Sequence, residues 1–282
     1  MMRVLICLVL TMMAFGANSV LNRLALAETT ISAVDFALFR VGFGAVTLFT
    51  LIALRGELAQ GRFSWPSTLG LTAYMLGFSL AYQSIGAGLG ALLLFGVVQL
   101  TMFSGALLGG ERPKFATYAG AALGLLGLFV VLWPASGELE FTTGAAASMI
   151  VAGIGWGIFS LAGRGAAAPL ATTFRAFLLT LPAVFAVAVW QGIGPVDPWG
   201  LAYAAISGVV MSGLGYALWY AVLPRIAATS AALAQLTVPL IAMAGGLIFL
   251  EEMVDDRFVI GSAMVLSGVI LPIWFAQRQD GK

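Results

Sequence analysis

A few polar and aromatic side chains stand inside stretches that are otherwise almost wholly apolar, and these residues could do chemistry. Asn18 and Asn22 lie four apart, with Ser19 and Arg23 on the next stripe, and Trp156, Ser160 and Arg164 repeat that step further along. On a helix, such spacing places side chains on one face. Tyr74, Phe78 and Tyr82 form an aromatic row at the same interval; Ser212, Tyr216 and Tyr220 answer it, with Trp219 beside them. Phe95, Gln99, Phe103, Gln235 and Pro239 complete the set. Rings supply contact area and attract cations, while amides and hydroxyls fix orientation. Asn18, Asn22, Phe78, Tyr82, Gln99, Trp156, Ser160, Tyr216, Tyr220 and Gln235 are therefore the candidate binding residues for a small, neutral or zwitterionic organic solute. Close packing also produces aromatic rows, and paired amides also bond neighbouring helices, so both readings stay open.

Other chemistry is missing. The chain has no histidine and a single cysteine, Cys7, which removes the commonest general base and metal ligand and any intrachain disulfide. No Asp or Glu sits near the middle of an apolar stretch, so a carboxylate proton relay is not expected. No Gly-rich phosphate loop ending in Lys and Ser or Thr occurs, and no cofactor, metal or catalytic constellation is implied. Arg40, five residues past Asp35, is read as snorkelling to the outer surface, with pairing to a bound carboxylate as the alternative. Glu111, Arg112 and Pro113 are read as capping and turning the loop that holds them.

The elements that carry these residues are membrane helices. Of 282 residues, 61% are hydrophobic and 9% charged, against about 25% charged in a soluble domain, and the mean hydropathy is +1.04. A span needs about 20 apolar residues. Such windows lie at 4–22, 34–54, 68–86, 88–108 and 115–133, then at 143–162, 174–191, 201–222, 227–250 and 258–275. Residues 1–27 have some features of a secretory signal, but their recurrence later in the chain favours a retained first helix.

With ten spans and a cytoplasmic N-terminus, ten of the thirteen basic residues fall inside: Arg3, Arg55, Arg62, Arg112, Lys114, Arg164, Arg175, Arg225, Arg278 and Lys282. The acidic residues Glu28, Asp35, Glu138, Glu140, Asp197, Glu251, Glu252, Asp255 and Asp256 fall outside. The positive-inside rule then places both termini in the cytoplasm. A shift of 141 residues sets Phe15-Gly16 on Trp156-Gly157, Ser19 on Ser160, Arg23 on Arg164, Glu111 on Glu252, and Gly120 and Gly127 on Gly261 and Gly268. The expected fold is all-α integral membrane: ten transmembrane helices as two five-helix repeats, residues 1–137 and 138–282. Five spans per unit is odd, so the second repeat is inverted.

Phe15-Gly16-Ala17-Asn18, Phe39-Arg40, Leu108-Gly109-Gly110-Glu111-Arg112-Pro113, and Pro239 with Glu252 resemble the drug/metabolite transporter superfamily, EamA-like branch. The resemblance covers nearly the whole chain. Val98 stands where Pro239 would align, so a break in helix 9 has no sequence counterpart in helix 4. The resemblance implies a secondary transporter in a bacterial-type inner membrane, exporting amino acids or related solutes. An uptake carrier or exchanger of the same fold, and a non-transporting membrane scaffold, are the alternatives. The expected partners are a small-molecule substrate and the lipid bilayer; the scattered basic residues offer nucleic acid no patch, and a monomer is compatible with the sequence.

Overall fold

The computed structural model describes residues 2–58, 60–132, 142–252 and 256–280. Among these every regular element is helical, in ten segments. They are α1 (Met2–Glu28), α2 (Ala33–Leu54), α3 (Trp65–Ala81), α4 (Ala87–Leu108), α5 (Phe115–Leu132), α6 (Thr143–Arg164) and α7 (Pro169–Gln191), followed by α8 (Pro198–Arg225), α9 (Ala228–Phe249) and α10 (Asp256–Asp280). Seven of them, α1, α2, α4 and α6 to α9, are long and apolar enough to cross a membrane; α5 and α10 carry shorter apolar stretches, Phe115–Val130 and Val259–Pro272. At 17 residues, α3 stops at Ala81 rather than near 86, because a turn over 82–85 precedes Gly86, which opens α4.

Local chemistry sets the helix starts. The side chains of Ser32, Ser64, Thr142 and Asp197 accept the first free backbone N–H groups of α2, α3, α6 and α8, the usual remedy for unpaired amides at a helix N-terminus. Gly200 and Thr30 also direct backbone N–H groups at Asp197, and these bonds hold its carboxyl down at about 2. Two of the long segments are irregular. In α8, Ser207–Leu214 is a π-helical stretch, and α9 is interrupted between Gln235 and Val238, just before Pro239. The aligned stretch of α4 runs unbroken, as the unmatched proline led one to expect.

Apolar side chains point outward. Leu5, Val9, Val46, Phe129, Trp190 and Phe249 are exposed, whereas Asn22, Arg40, Ser79 and Gln99 are buried. This arrangement suits lipid, in which unpaired polar groups are costly. Glycines let helices touch: a Cβ on Gly70 of α3 would lie 2.6 Å from the Gly155 carbonyl oxygen of α6, and one on Gly127 of α5 would lie 2.6 Å from that of Gly261 in α10. Gly105, Gly120, Gly124, Gly153 and Gly157 likewise meet neighbouring helices, whereas Gly109 caps the end of α4.

The loops gather alternately at two ends. At one end the Thr30 N–H donates to Asp197 (2.9 Å) and the Gly194 N–H to Asp35 (3.1 Å), tying the α1–α2 and α7–α8 loops together. The α3–α4 turn joins them through Arg23, which donates to the Tyr82 carbonyl at 3.0 Å. The α4–α5, α6–α7 and α8–α9 loops meet at the other end through Glu111, Arg164 and Ala228, and there Gly61 packs on Ala171. Of the charges assigned from sequence, Lys282, Glu138, Glu140 and Asp255 lie outside the described residues.

Candidate functional site

Arg40 stands at the middle of the buried polar chemistry. It lies in α2, is 0% exposed and is enclosed by α3 and α8. Its Nε donates to Ser212 Oγ at 2.9 Å, and its Nη2 to the hydroxyls of Tyr74 and Tyr216 at 3.0 and 3.2 Å. The guanidinium carbon sits 5.2 Å from the Tyr74 ring centroid and 5.1 Å from that of Phe78, close enough for cation–π attraction. Nη1 has no partner, and no described carboxylate is within ion-pair distance. Snorkelling is therefore corrected: the side chain points into the bundle. The π-helical stretch of α8 makes this possible by bringing Ser212 and Tyr216 onto α2, with Gly208 so close that a Cβ there would lie 2.6 Å from the Arg40 carbonyl oxygen. Such stretches recur at functional sites.

Aromatic rings continue from this cluster. Tyr74 packs on Trp156 (centroids 5.0 Å apart), and Trp156 contacts Tyr216 at 4.9 Å, Phe15 at 5.1 Å and Phe159 at 5.6 Å. The Trp156 indole N–H donates to Gln235 Oε1 at 2.6 Å, and Gln235 Nε2 donates to Met102 Sδ. Phe78 contacts Tyr82 at 4.7 Å and Tyr74 at 5.0 Å, and Tyr220 packs edge-on against Phe159. Phe78, Tyr82, Trp156, Tyr216, Tyr220 and Gln235 thus form one continuous buried cluster around Arg40.

The remaining candidates sit differently. Asn18 accepts from Ser207 Oγ at 2.6 Å and Asn22 donates to Ser79 Oγ at 3.2 Å, so each ties α1 to a neighbour as the packing reading allowed. Asn22 Oδ1, both amide atoms of Gln99, and the Ser19 and Ser160 hydroxyls are buried without partners. Sequence reading did not anticipate Phe159 and Phe177, which pack on Tyr216, and it placed Phe15 only within a motif. Phe15 aligns with Trp156 at the 141-residue offset, and that signal could have revealed it. Among the described residues no three His, Cys, Asp or Glu side chains gather to hold a metal.

Each end carries a carboxylate that caps a helix of the opposite half. Glu111 Oε1 accepts from the Ala228 N–H at 3.0 Å and Oε2 from the Thr229 N–H at 3.4 Å, at the start of α9. Glu252 Oε1 accepts from the Ala87 N–H at 2.6 Å and Oε2 from the Gly88 N–H at 3.3 Å, at the start of α4. Acceptor and donor positions both map onto each other at 141 residues. Glu111 also pairs with Arg164 at 2.7 Å, whereas the aligned Arg23 donates to the carbonyls of Tyr82 and Gln83. Partial burial would raise the Glu111 carboxyl, but the two amides and the guanidinium outweigh it and hold it below the ordinary carboxylate range. The Glu111 side chain thus reaches a distant helix, which the sequence reading did not anticipate, while its backbone N–H closes the end of α4 on the Ala106 carbonyl at 2.9 Å.

Comparison with known proteins fits this double construction. The model of the EamA-like transporter family matches twice, over residues 2–133 and 143–274. The chain belongs to the EamA-like transporter family. It is 41% identical to an uncharacterized protein of Pseudomonas aeruginosa over 95% of this chain and 94% of that one. It is 22% identical to a protein of Salmonella typhimurium named "probable amino-acid metabolite efflux pump", over 89% and 94% of the two chains. A crystal structure 20% identical shares its fold, with a TM-score of 0.74 over 96% of this chain and 98% of the other. This EamA-like transporter is a multi-pass membrane protein and not an enzyme. Its buried cluster offers aromatic faces, a guanidinium and several hydroxyl and amide groups, a set suited to orienting a small polar molecule.

Proposed function

We propose that the protein is a secondary exporter of amino acids or related neutral and zwitterionic metabolites. Two inverted five-helix repeats, residues 1–137 and 138–282, form ten spans in a bacterial inner membrane, with both termini cytoplasmic. The observation that carries this reading is the reciprocal pair of carboxylate caps. Each holds the start of a helix from the other half, Glu111 on α9 and Glu252 on α4, at opposite ends of the bundle. Releasing one cap while the other stays bonded opens one end alone, which alternating access between related halves requires. The amino-acid class is supported by the name of the Salmonella relative and by an aromatic site with amides. Candidate contact residues are Asn18, Asn22, Phe78, Tyr82, Gln99, Trp156, Ser160, Tyr216, Tyr220 and Gln235.

The test is counterflow of radiolabelled amino acids in proteoliposomes, with and without a pH gradient. Saturable uptake by the wild-type chain, and its loss in Trp156→Ala with normal membrane insertion, is the expected result. Full transport by Trp156→Ala and Tyr82→Ala would overturn the site, and no amino-acid flux at all would overturn the substrate class.

A further inference from the structure

Arg40 is costly where it stands. A guanidinium stays protonated under all ordinary conditions and carries five N–H donors; here Ser212, Tyr74 and Tyr216 take up Nε and Nη2, leaving both N–H groups of Nη1 unpaired in a fully buried position. A buried cation whose role is structural is normally matched by a carboxylate and has its donors filled. Asp35, the acidic residue of the same helix, is turned to Ser32 and Gly194 instead. The positive charge therefore lies against the Tyr74 and Phe78 rings of α3, 5.2 and 5.1 Å from their centroids, with no anion paired to it among the described residues. Uncompensated charge of this kind within a membrane protein marks a ligand path.

We propose that Arg40 is the carboxylate-recognition residue of the transport site. Its free Nη1 and the Tyr74, Tyr216 and Ser212 hydroxyls receive the carboxylate of an amino-acid-like substrate. Both free N–H groups of Nη1 make charge-assisted bonds to a carboxylate from a fixed, planar cation, which a flexible ammonium does not reproduce. The other end of a zwitterion then meets ring faces such as Trp156, which attract an ammonium group. Free acceptors such as Asn22 Oδ1 and Gln99 Oε1 add to that attraction. The inference rests on the exporter reading above and narrows it: the carboxylate, rather than the amine, decides what is accepted.

The experiment uses the full chain in proteoliposomes carrying radiolabelled phenylalanine, with unlabelled phenylalanine, phenylalaninamide and phenethylamine as competitors. Phenylalanine is expected to compete at least about tenfold better than either analogue lacking the carboxylate, because a site built around a polar group rejects ligands that leave it unpaired. Arg40→Lys, which keeps the charge and guards against misfolding, is expected to raise the half-saturating concentration and shrink that ratio; Arg40→Met is expected to abolish it. Equal competition by the amide, or an unchanged ratio in both variants, overturns the inference while leaving the exporter reading intact. If wild-type liposomes carry no phenylalanine, the thermal midpoint of the purified chain with phenylacetate against phenylacetamide decides. Stabilisation by the acid alone, weakened in Arg40→Lys, supports the carboxylate site; equal or absent shifts overturn it.

Discussion

At the scale of single residues, the buried cluster is held by a few bonds with no replacement at hand. The Trp156 indole N–H has Gln235 Oε1 as its partner at 2.6 Å, and both residues are buried. Gln235→Leu keeps the approximate volume but orphans that donor, an omission costing about 1–3 kcal/mol. Its thermal midpoint in detergent is expected to fall by several degrees, and Gln235→Glu, which restores an acceptor, is expected to recover part of the loss. Candidate residues could be named from sequence because aromatic and amide side chains are rare and regularly spaced inside apolar helices. Their partners could not. Nothing local distinguishes Asn22, bonded to Ser79, from Gln99, bonded to nothing, since each outcome depends on a helix far away in the chain.

At the scale of elements, the contact of α2 with the π-helical stretch of α8 sets the geometry around Arg40. A Cβ on Gly208 would lie 2.6 Å from both the Arg40 carbonyl oxygen and Phe43 Cβ, and neither can retreat without moving α2. Gly208→Ala is expected to destabilise the protein by about 1–3 kcal/mol through overpacking and to weaken transport, measured as a lower thermal midpoint and slower flux. Gly96→Ala is the matched control: its nearest neighbour would be Leu128 Cδ1 at 3.7 Å, so it is expected to leave both unchanged. Helix spans were legible because hydropathy changes sharply at their ends. The π-helical stretch was not, for Ser207–Leu214 reads as ordinary apolar helix, and its contacts with α2 and, through Ser207, with α1 are made far away in the chain.

At the scale of the whole molecule, the two carboxylate caps join halves that are distant in sequence. Glu111 has its carboxyl depressed below the ordinary range by the Ala228 and Thr229 amides and Arg164, which outweigh burial. A depressed carboxyl contributes stability that is full above its unfolded-state value and is lost as pH falls through the folded value. Wild type is thus expected to have a higher thermal midpoint than Glu111→Gln at neutral pH, the two converging as the medium is acidified below the ordinary carboxylate range. The caps are also expected to act oppositely on access. With a cysteine placed at Gln99 in a Cys7→Ala background, Glu252→Gln is expected to increase labelling by an impermeant thiol reagent applied outside, and Glu111→Gln to decrease it. Equal responses would separate the caps from the access switch.

The sequence by itself determined that this chain lives in lipid, where its helices begin and end to within about six residues, and that one half repeats the other at 141 residues. Those properties follow from composition and periodicity, which act locally along the chain. Only the tertiary structure decided that Arg40 is buried rather than raised to the surface, because α2 is apolar on every side and gives no sign of which face meets α3 and α8. Only the tertiary structure sent Glu111 to the start of α9, 117 residues away, because a free helix N-terminus attracts whichever carboxylate the packing brings to it.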